Sequence, residues 1–143
     1  MTNFTTRMMI ATATLVAAAG AASAQTLRAE IPFTFRAGNK VMAAGTYEVG
    51  TVSGQTDRPI FRLSAVGAGH TTLLPGMSPH DAAKSWQAAG NPVLSFDCAA
   101  GNCSLATVWT GFSAPAYRIP YVKAGADEPV RVTLIEMRRD KSE

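Results

Sequence analysis

Clusters of basic residues are absent from this sequence, and histidine and cysteine occur only twice each among its 143 residues. The 13 lysines and arginines exceed the 10 acidic residues by three, and only Arg138 and Arg139 are adjacent. A nucleic-acid-binding face carries clustered basic residues with interleaved aromatics. We therefore expect no nucleic-acid partner, and we interpret the basic isoelectric point as a small imbalance among few charges.

A strongly apolar run long enough to span a bilayer is also missing. Residues 8–22 are apolar, small or hydroxyl throughout, and Arg7 is the only charge before Gln25. Ala22-Ser23-Ala24 matches the small-x-small pattern that precedes signal-peptidase cleavage. A retained anchor is the alternative, but a spanning helix needs ~20 strongly apolar residues. We expect cleavage before Gln25, export to the periplasm or outside the cell, and no membrane span in the mature chain.

Removing 24 of the 143 residues leaves 119, a normal size for one domain. We expect a signal peptide over residues 1–24, a single β domain over 25–137 and a polar tail over 138–143. Short segments of alternating apolar and polar residues, separated by turn signals, recur along the domain. They predict an all-β fold of about eight strands, either an antiparallel sandwich or a small barrel.

The clearest strand signal covers residues 27–36, where apolar and polar side chains alternate. A period of two places one set on the core face of a strand. That set contains Leu27, Ala29, Ile31, Phe33 and Phe35. Gly38-Asn39 and Ala44-Gly45 are predicted turns, and Tyr47 begins the next strand.

Residues 75–92 interrupt the strand pattern. Ser78 is a candidate helix cap, with Pro79 at the first helical position and Gly90 at the end. The segment between them contains good helix formers but only a weak apolar stripe. A short helix near residues 79–89 and a mobile loop are both compatible with this pattern.

Cys98 and Cys103 lie near the tip of a predicted hairpin over residues 93–109. In an oxidising compartment an isolated close pair is most simply a disulfide. Four residues separate the two cysteines, rather than the two of a thioredoxin-like redox pair, which favours a structural cross-link. Pairing Cys98 opposite Cys103 predicts the rest of the register and one shared apolar face. The expected opposed pairs are Phe96 with Leu105, Leu94 with Thr107, and Pro92 with Trp109.

Two stretches, mainly over residues 29–49 and 93–109, resemble a family of small exported β-rich bacterial proteins of uncharacterised function. The first contains Ile31-Pro32-Phe33-Thr34-Phe35 and Ala44-Gly45-Thr46-Tyr47-Glu48-Val49, and the second contains Leu94-Ser95-Phe96 and Val108-Trp109. Ala43 stands where the family has proline, and the C-terminal third departs further. The resemblance implies an exported β-rich domain and carries no catalytic residues.

Three sets of residues could carry chemistry or binding. His70, Met77 and His80 offer imidazole and thioether donors, which suit copper, although two histidines without a fixed spacing are weak evidence and a polar loop with solvated histidines is the simpler interpretation. Glu48 and Asp97 could form a carboxylate pair as in glycosidases, or could be solvent-facing strand residues. Trp86 is a candidate aromatic for contacting a sugar or peptide, or a cover over the core.

No set of residues forms a complete catalytic or cofactor-binding motif. Gly111-Phe112-Ser113-Ala114-Pro115 lacks the final glycine of a nucleophile elbow. We therefore predict a non-catalytic exported domain without a cofactor, with a structural or binding role in the cell envelope. Its partner would be an envelope component, a glycan or a protein. A periplasmic metal-binding protein and a small carboxylate hydrolase are the alternatives.

Overall fold

The computed structural model describes residues 26–52, 58–111, 114–121 and 129–139. The predicted signal peptide and residues 140–143 of the predicted tail lie outside these ranges. In chain order the strands are β1 (Leu27–Ile31), β2 (Phe35–Ala37), β3 (Lys40–Met42), β4 (Gly45–Val52), β5 (Ile60–Ala65), β6 (Thr71–Pro75), β7 (Met77–His80), β8 (Val93–Ala99), β9 (Asn102–Trp109), β10 (Ala116–Arg118), β11 (Arg131–Glu136) and β12 (Arg138–Arg139). The helix α1 covers Lys84–Ala89.

These strands form an all-β sandwich that is not closed into a barrel. Sheet A has the order β12-β1-β4-β5-β6, and sheet B has the order β11-β8-β9-β10-β7, with the β2–β3 hairpin attached to β9. The predicted antiparallel sandwich is confirmed, and it differs from the expected eight-strand arrangement in two details. The described ranges contain twelve strands, several of them only two or three residues long, and β2 pairs with β9 in parallel.

The alternating segment 27–36 is buried as predicted but does not form one strand. Ile31 and Phe35 are fully buried and Phe33 is half-buried, so the period of two continues through the whole segment. Between them the chain leaves β1 in sheet A and enters β2 in sheet B. Pro32 lies at this break, where its missing N–H cannot extend the strand ladder. Both sheets face the same core, so the side-chain alternation survives the crossing.

The main core lies between the sheets and contains a chain of aromatic rings. The Phe96 ring packs edge-on against Phe33 at 5.1 Å and against Phe35 at 5.3 Å between ring centroids. Phe35 makes a further edge contact with Tyr47 at 5.3 Å. Each such pair contributes about 0.5–1.5 kcal/mol beyond the area that it buries. The two N-terminal phenylalanines therefore connect β8 to the opposite sheet.

The β8–β9 hairpin contains the predicted disulfide between Cys98 and Cys103, with an S–S distance of 2.06 Å. The predicted register holds from the cysteines to Phe96 opposite Leu105 and then shifts between Ser95 and Phe96. The structure therefore contradicts the predicted pairs of Leu94 with Thr107 and Pro92 with Trp109. Leu94 instead lies opposite Val108, and Val93 opposite Trp109.

A bulge at Ala106 causes this shift, because one extra residue on β9 reverses the alternation of every side chain beyond it. Trp109 is consequently buried in a second, smaller cluster on the other face of sheet B, away from Leu94 and Phe96. Trp86 of α1 covers that cluster, with its ring centroid 6.4 Å from that of Trp109. Near Trp109, sheet B is thus covered on both faces, by the main core on one face and by α1 on the other.

The helix is shorter than predicted and begins later. Ser78 and Pro79 belong to β7, so the predicted helix cap at Ser78 is wrong. The backbone of β7 pairs with β10, and this tertiary pairing overrides the local capping signal. Ala83 precedes α1 without a side-chain cap, whereas Gly90 ends the helix in the predicted left-handed conformation, with φ 79°. In the described ranges, no helix is long and apolar enough to cross a membrane.

The chain passes from sheet A to sheet B at Gly76, which is buried between β6 and β7. A Cβ atom at this position would lie 2.8 Å from Cε2 of Phe61, 3.0 Å from Cγ of Pro59 and 3.2 Å from Cβ of Tyr117. These distances leave no room for a side chain. Glycine is therefore required at this crossing.

The last strands depart from the predicted polar tail. Val132 and Leu134 of β11 face solvent, while Ile135 and the fully buried Met137 face the core. Arg138 and Arg139 are exposed, as predicted for a tail, but they pair with β1 as β12. The ordered sandwich therefore extends past residue 137.

Candidate functional site

The predicted metal ligands do not come together. His70 lies in the turn before β6, whereas Met77 and His80 lie in β7, beyond the other end of β6. At about 3.3 Å per residue, β6 alone separates these ends by roughly 13 Å. Nδ1 of His80 lies 3.1 Å from the carbonyl oxygen of Ser78. Across residues 26–52, 58–111, 114–121 and 129–139, no group of three or more His, Cys, Asp and Glu side chains is placed to hold a metal ion.

The two predicted carboxylates point away from each other. Glu48 lies between the buried Tyr47 and Val49, so its side chain projects from the outer face of sheet A, where it pairs with Arg28 at 3.4 Å. Asp97 follows the buried Phe96 and projects from the outer face of sheet B. Packed sheets lie about 10 Å apart, so outward-facing carboxylates exceed the ~5–9.5 Å separation of glycosidase pairs.

Asp97 instead accepts a hydrogen bond from the hydroxyl of Tyr121. Burial of the phenol, followed by this hydrogen bond and the negative charge of Asp97, raises the pKa of Tyr121 to about 12. The contact joins the segment after β10 to the outer face of β8. Ser113 of the incomplete nucleophile elbow lies outside the described residues.

A groove that the sequence did not reveal runs along β6, the last strand of sheet A. We call it the β6 groove, and residues 37–47, 65–66, 68–75 and 120–121 line it. Its two halves measure about 720 and 750 Å³, and they adjoin at Lys40, Thr71 and Thr72, which line both. The walls come from segments far apart in the chain, so no local motif marks the groove.

One wall of the groove is an unpaired strand edge. The N–H of Ala65 donates to the carbonyl of His70, and the N–H of Gly76 donates to the carbonyl of Pro59, both at 2.9 Å. Because N–H and C=O groups alternate in direction along a strand, Thr72 and Leu74 bond to β5. The backbone groups of Thr71 and Leu73 therefore point away from β5. Within the described residues no strand pairs with this edge of β6.

The opposite wall is the β2–β3 hairpin. Its two-residue turn begins with Gly38 at φ 62°, the positive φ that tight hairpin turns require at this position. A Cβ atom on Gly38 would lie 3.3 Å from Cδ2 of Leu74, and Sδ of Met42 accepts a hydrogen bond from Oγ1 of Thr72 at 3.7 Å. These contacts place β3 across the groove from β6. Val41 on β3 is 63% exposed and contributes an apolar surface.

Among the described residues, the groove is lined by a basic side chain and by no acidic one. Lys40 lines both halves and His70 lines one of them, whereas no described Asp or Glu belongs to either lining. At one end the hydroxyl of Tyr47 donates to the carbonyl of Ala43, and burial raises the pKa of that phenol. The groove therefore offers a cationic group, hydroxyls of threonine and a free strand edge.

Trp86, the predicted aromatic contact residue, is not part of this groove. It is half-buried against the second cluster, which corresponds to the alternative of a cover over the core. Comparison of the chain with protein-family models, curated proteins and solved structures finds no match. The β6 groove is therefore the candidate functional site that the described residues offer.

Proposed function

We propose that the protein is an exported, non-catalytic β-sandwich module that binds an envelope component, a glycan or a protein, in the β6 groove. The observation that carries this proposal is the combination of an edge of β6 that no described strand pairs with and the groove beside it. A free edge is a ready template for pairing, and native sheets usually cover or blunt such edges.

Two independent features support export. The N-terminal 24 residues have the charge, apolar run and small-residue pattern of a signal peptide. The Cys98–Cys103 disulfide belongs to an oxidising compartment such as the periplasm. The resemblance of residues 29–49 and 93–109 to exported bacterial proteins supports the same location.

The arrangement of polar groups supports binding rather than catalysis. The paired acid–base mechanism that these residues could have supplied needs two groups within reach of one reacting centre. Glu48 and Asp97 lie on opposite outer faces, and His70 and His80 lie beyond opposite ends of β6. The groove itself contains main-chain edge groups, hydroxyls and Lys40, which suit recognition.

Mass spectrometry of the protein purified from the periplasm of an expressing bacterium tests the export step. We expect a chain that begins at Gln25 and has lost two hydrogens through the disulfide. A chain that keeps its first 24 residues in the cytoplasm with two free thiols would contradict export.

NMR titration of the ¹⁵N-labelled mature protein tests the binding step. The probes are soluble peptidoglycan fragments and synthetic extended peptides, and we expect shift changes along β6 and β3. Val41→Asp should abolish these changes, whereas Val132→Asp should preserve them, because the two valines are 63% and 62% exposed but only Val41 lines the groove. Shift changes confined to other surfaces, or equal effects of both variants, would overturn the groove as the binding site.

A further inference from the structure

We propose that the occupant of the β6 groove is an extended peptide segment that carries a carboxylate and adds to sheet A as an antiparallel strand beside β6. This inference rests on the proposed function and identifies the class of its ligand. Strand addition to a sheet edge is an established mode of peptide recognition, in which main-chain hydrogen bonds supply affinity and pockets for alternate side chains supply specificity.

The edge of β6 sets the hydrogen bonds of the added strand. Thr71 and Leu73 each present one N–H and one C=O outward, so two residues of the peptide can exchange both bonds with them. Pro75 has no N–H and ends the ladder. Four main-chain hydrogen bonds are thus available over a span of three residues.

The pleat of the sheet then decides where each peptide side chain points. Peptide residues opposite Thr71 and Leu73 share the outer face with those residues, which are exposed. The residue between them lies opposite the buried Thr72 and points inward. Because Lys40 lines both halves of the groove together with Thr71 and Thr72, an acidic side chain at this inward position enters the part of the groove that Lys40 borders.

Charge complementarity selects a carboxylate for that position. Lys40 is exposed and forms no ion pair within the described residues, and none of the described Asp and Glu residues lines the groove. The flanking inward positions face Val41 and the Gly38–Leu74 contact, which favour apolar side chains. The preferred peptide therefore has the inward pattern apolar, acidic, apolar.

A second copy of the chain fits this edge poorly. An antiparallel pair of β6 strands would bring the two Lys40 side chains into one groove, where like charges repel. Leu73 is the one exposed leucine of β6, so this edge offers little apolar surface to a second copy. A stable interface buries about 800 Å² on each partner. Main-chain pairing with a short peptide does not need so large an apolar area.

The test uses the mature protein with its disulfide intact and a capped seven-residue peptide, Thr-Val-Thr-Glu-Thr-Val-Thr. Its second, fourth and sixth residues would face inward. The matched control replaces the glutamate by glutamine. We expect binding about two- to fivefold weaker for the glutamine peptide, the range of an exposed ion pair. In the Lys40→Gln variant the two peptides should bind equally.

Backbone methylation separates strand addition from other modes of binding. N-methylation of the third and fifth residues removes the two N–H groups that face Thr71 and Leu73, and should weaken binding at least about tenfold. N-methylation of the second and sixth residues, whose N–H groups point away from β6, is the control and should have little effect. Bound peptide should also slow hydrogen exchange at the amides of Thr71 and Leu73.

The possible failures are distinguishable. If both methylated peptides lose binding affinity equally, strand addition is overturned. If the glutamine peptide binds as well as the glutamate peptide, the carboxylate preference is overturned. Peptidoglycan fragments that bind in the groove while every peptide fails would overturn the peptide class and leave the proposed function intact. If hydrogen exchange at the amides of Thr71 and Leu73 slows when only the protein concentration is raised, the occupant of the groove is a second copy of the chain and not a peptide. If none of the probes changes the NMR chemical shifts of residues in the groove, both proposals fail.

Discussion

The crossing at Gly76 provides a stringent test of how the two sheets are joined. Replacing Gly76 by alanine adds one methyl group at a position where Cε2 of Phe61 lies 2.8 Å and Cγ of Pro59 lies 3.0 Å away. The ring of Phe61 is 2% exposed and packs against Tyr117 at 5.7 Å between centroids, so it cannot move aside freely. Overpacking of this kind costs about 1–3 kcal/mol.

A second glycine supplies the matched control. Gly50 lies in β4 and does not have a positive φ, and a Cβ atom added there would meet no other atom within 4 Å. Both substitutions restrict the unfolded chain equally, which stabilises the folded state by about 0.4–1 kcal/mol. This contribution cancels in the difference between the two variants. We therefore expect Gly76→Ala to be about 1–3 kcal/mol less stable than Gly50→Ala.

Urea denaturation of the oxidised protein, followed by tryptophan fluorescence, measures this difference. A further variant, Phe61→Leu, should reduce the cost of Gly76→Ala, because it removes the ring that the new methyl group meets. If Gly76→Ala and Gly50→Ala have equal stability within about 0.5 kcal/mol, or if Phe61→Leu leaves the cost unchanged, the tight crossing between β6 and β7 is refuted.

Three other predictions concern the disulfide, the Tyr121 phenol and the exposed strand β11. Replacing both Cys98 and Cys103 by serine should lower the free energy of unfolding by about 2 kcal/mol, because the cross-link closes a short loop, and unchanged stability in urea would contradict this. Since the folded pKa of Tyr121 is raised to about 12, the unfolded state loses this proton first, and stability should fall as the pH rises from about 10 to 12. In an absorbance titration of the phenolates, the tyrosine that titrates at the highest pH should be missing from Tyr121→Phe. If that titration persists in the variant, it belongs to another residue. Val132→Lys should slow aggregation measured by light scattering while changing stability by less than about 0.5 kcal/mol, because lysine blunts an exposed edge strand. Aggregation at the wild-type rate would show that β11 is not the surface involved.

Local sequence patterns predicted the elements that depend on neighbouring residues. The alternation from Leu27 to Phe35 predicted which side chains are buried, because a strand has a period of two wherever it pairs. Gly38-Asn39 predicted a tight turn, and Gly90 predicted the end of a helix, since both positions use backbone conformations that favour glycine. The Cys98–Cys103 pair predicted the hairpin and its register near the tip.

Other features depended on partners that a linear pattern does not contain. The break at Pro32 occurs because β1 and β2 find different sheets, and the bulge at Ala106 moves Trp109 to the second cluster. Ser78 has the chemistry of a helix cap, but Met77 and His80 on either side of it pair with β10, which keeps the segment in a strand. In each case long-range pairing outweighed a local preference.

The sequence by itself determined that this chain forms a disulfide-linked β domain, because burial alternation, turn residues and a close cysteine pair are local properties. The tertiary structure alone decided where the β6 groove forms. The β6 groove requires β3, β6 and the segment after β10 to meet, and its key property is an edge that no described strand covers. An unpaired edge is defined by the absence of a neighbour in space, and only the folded arrangement of both sheets can establish it.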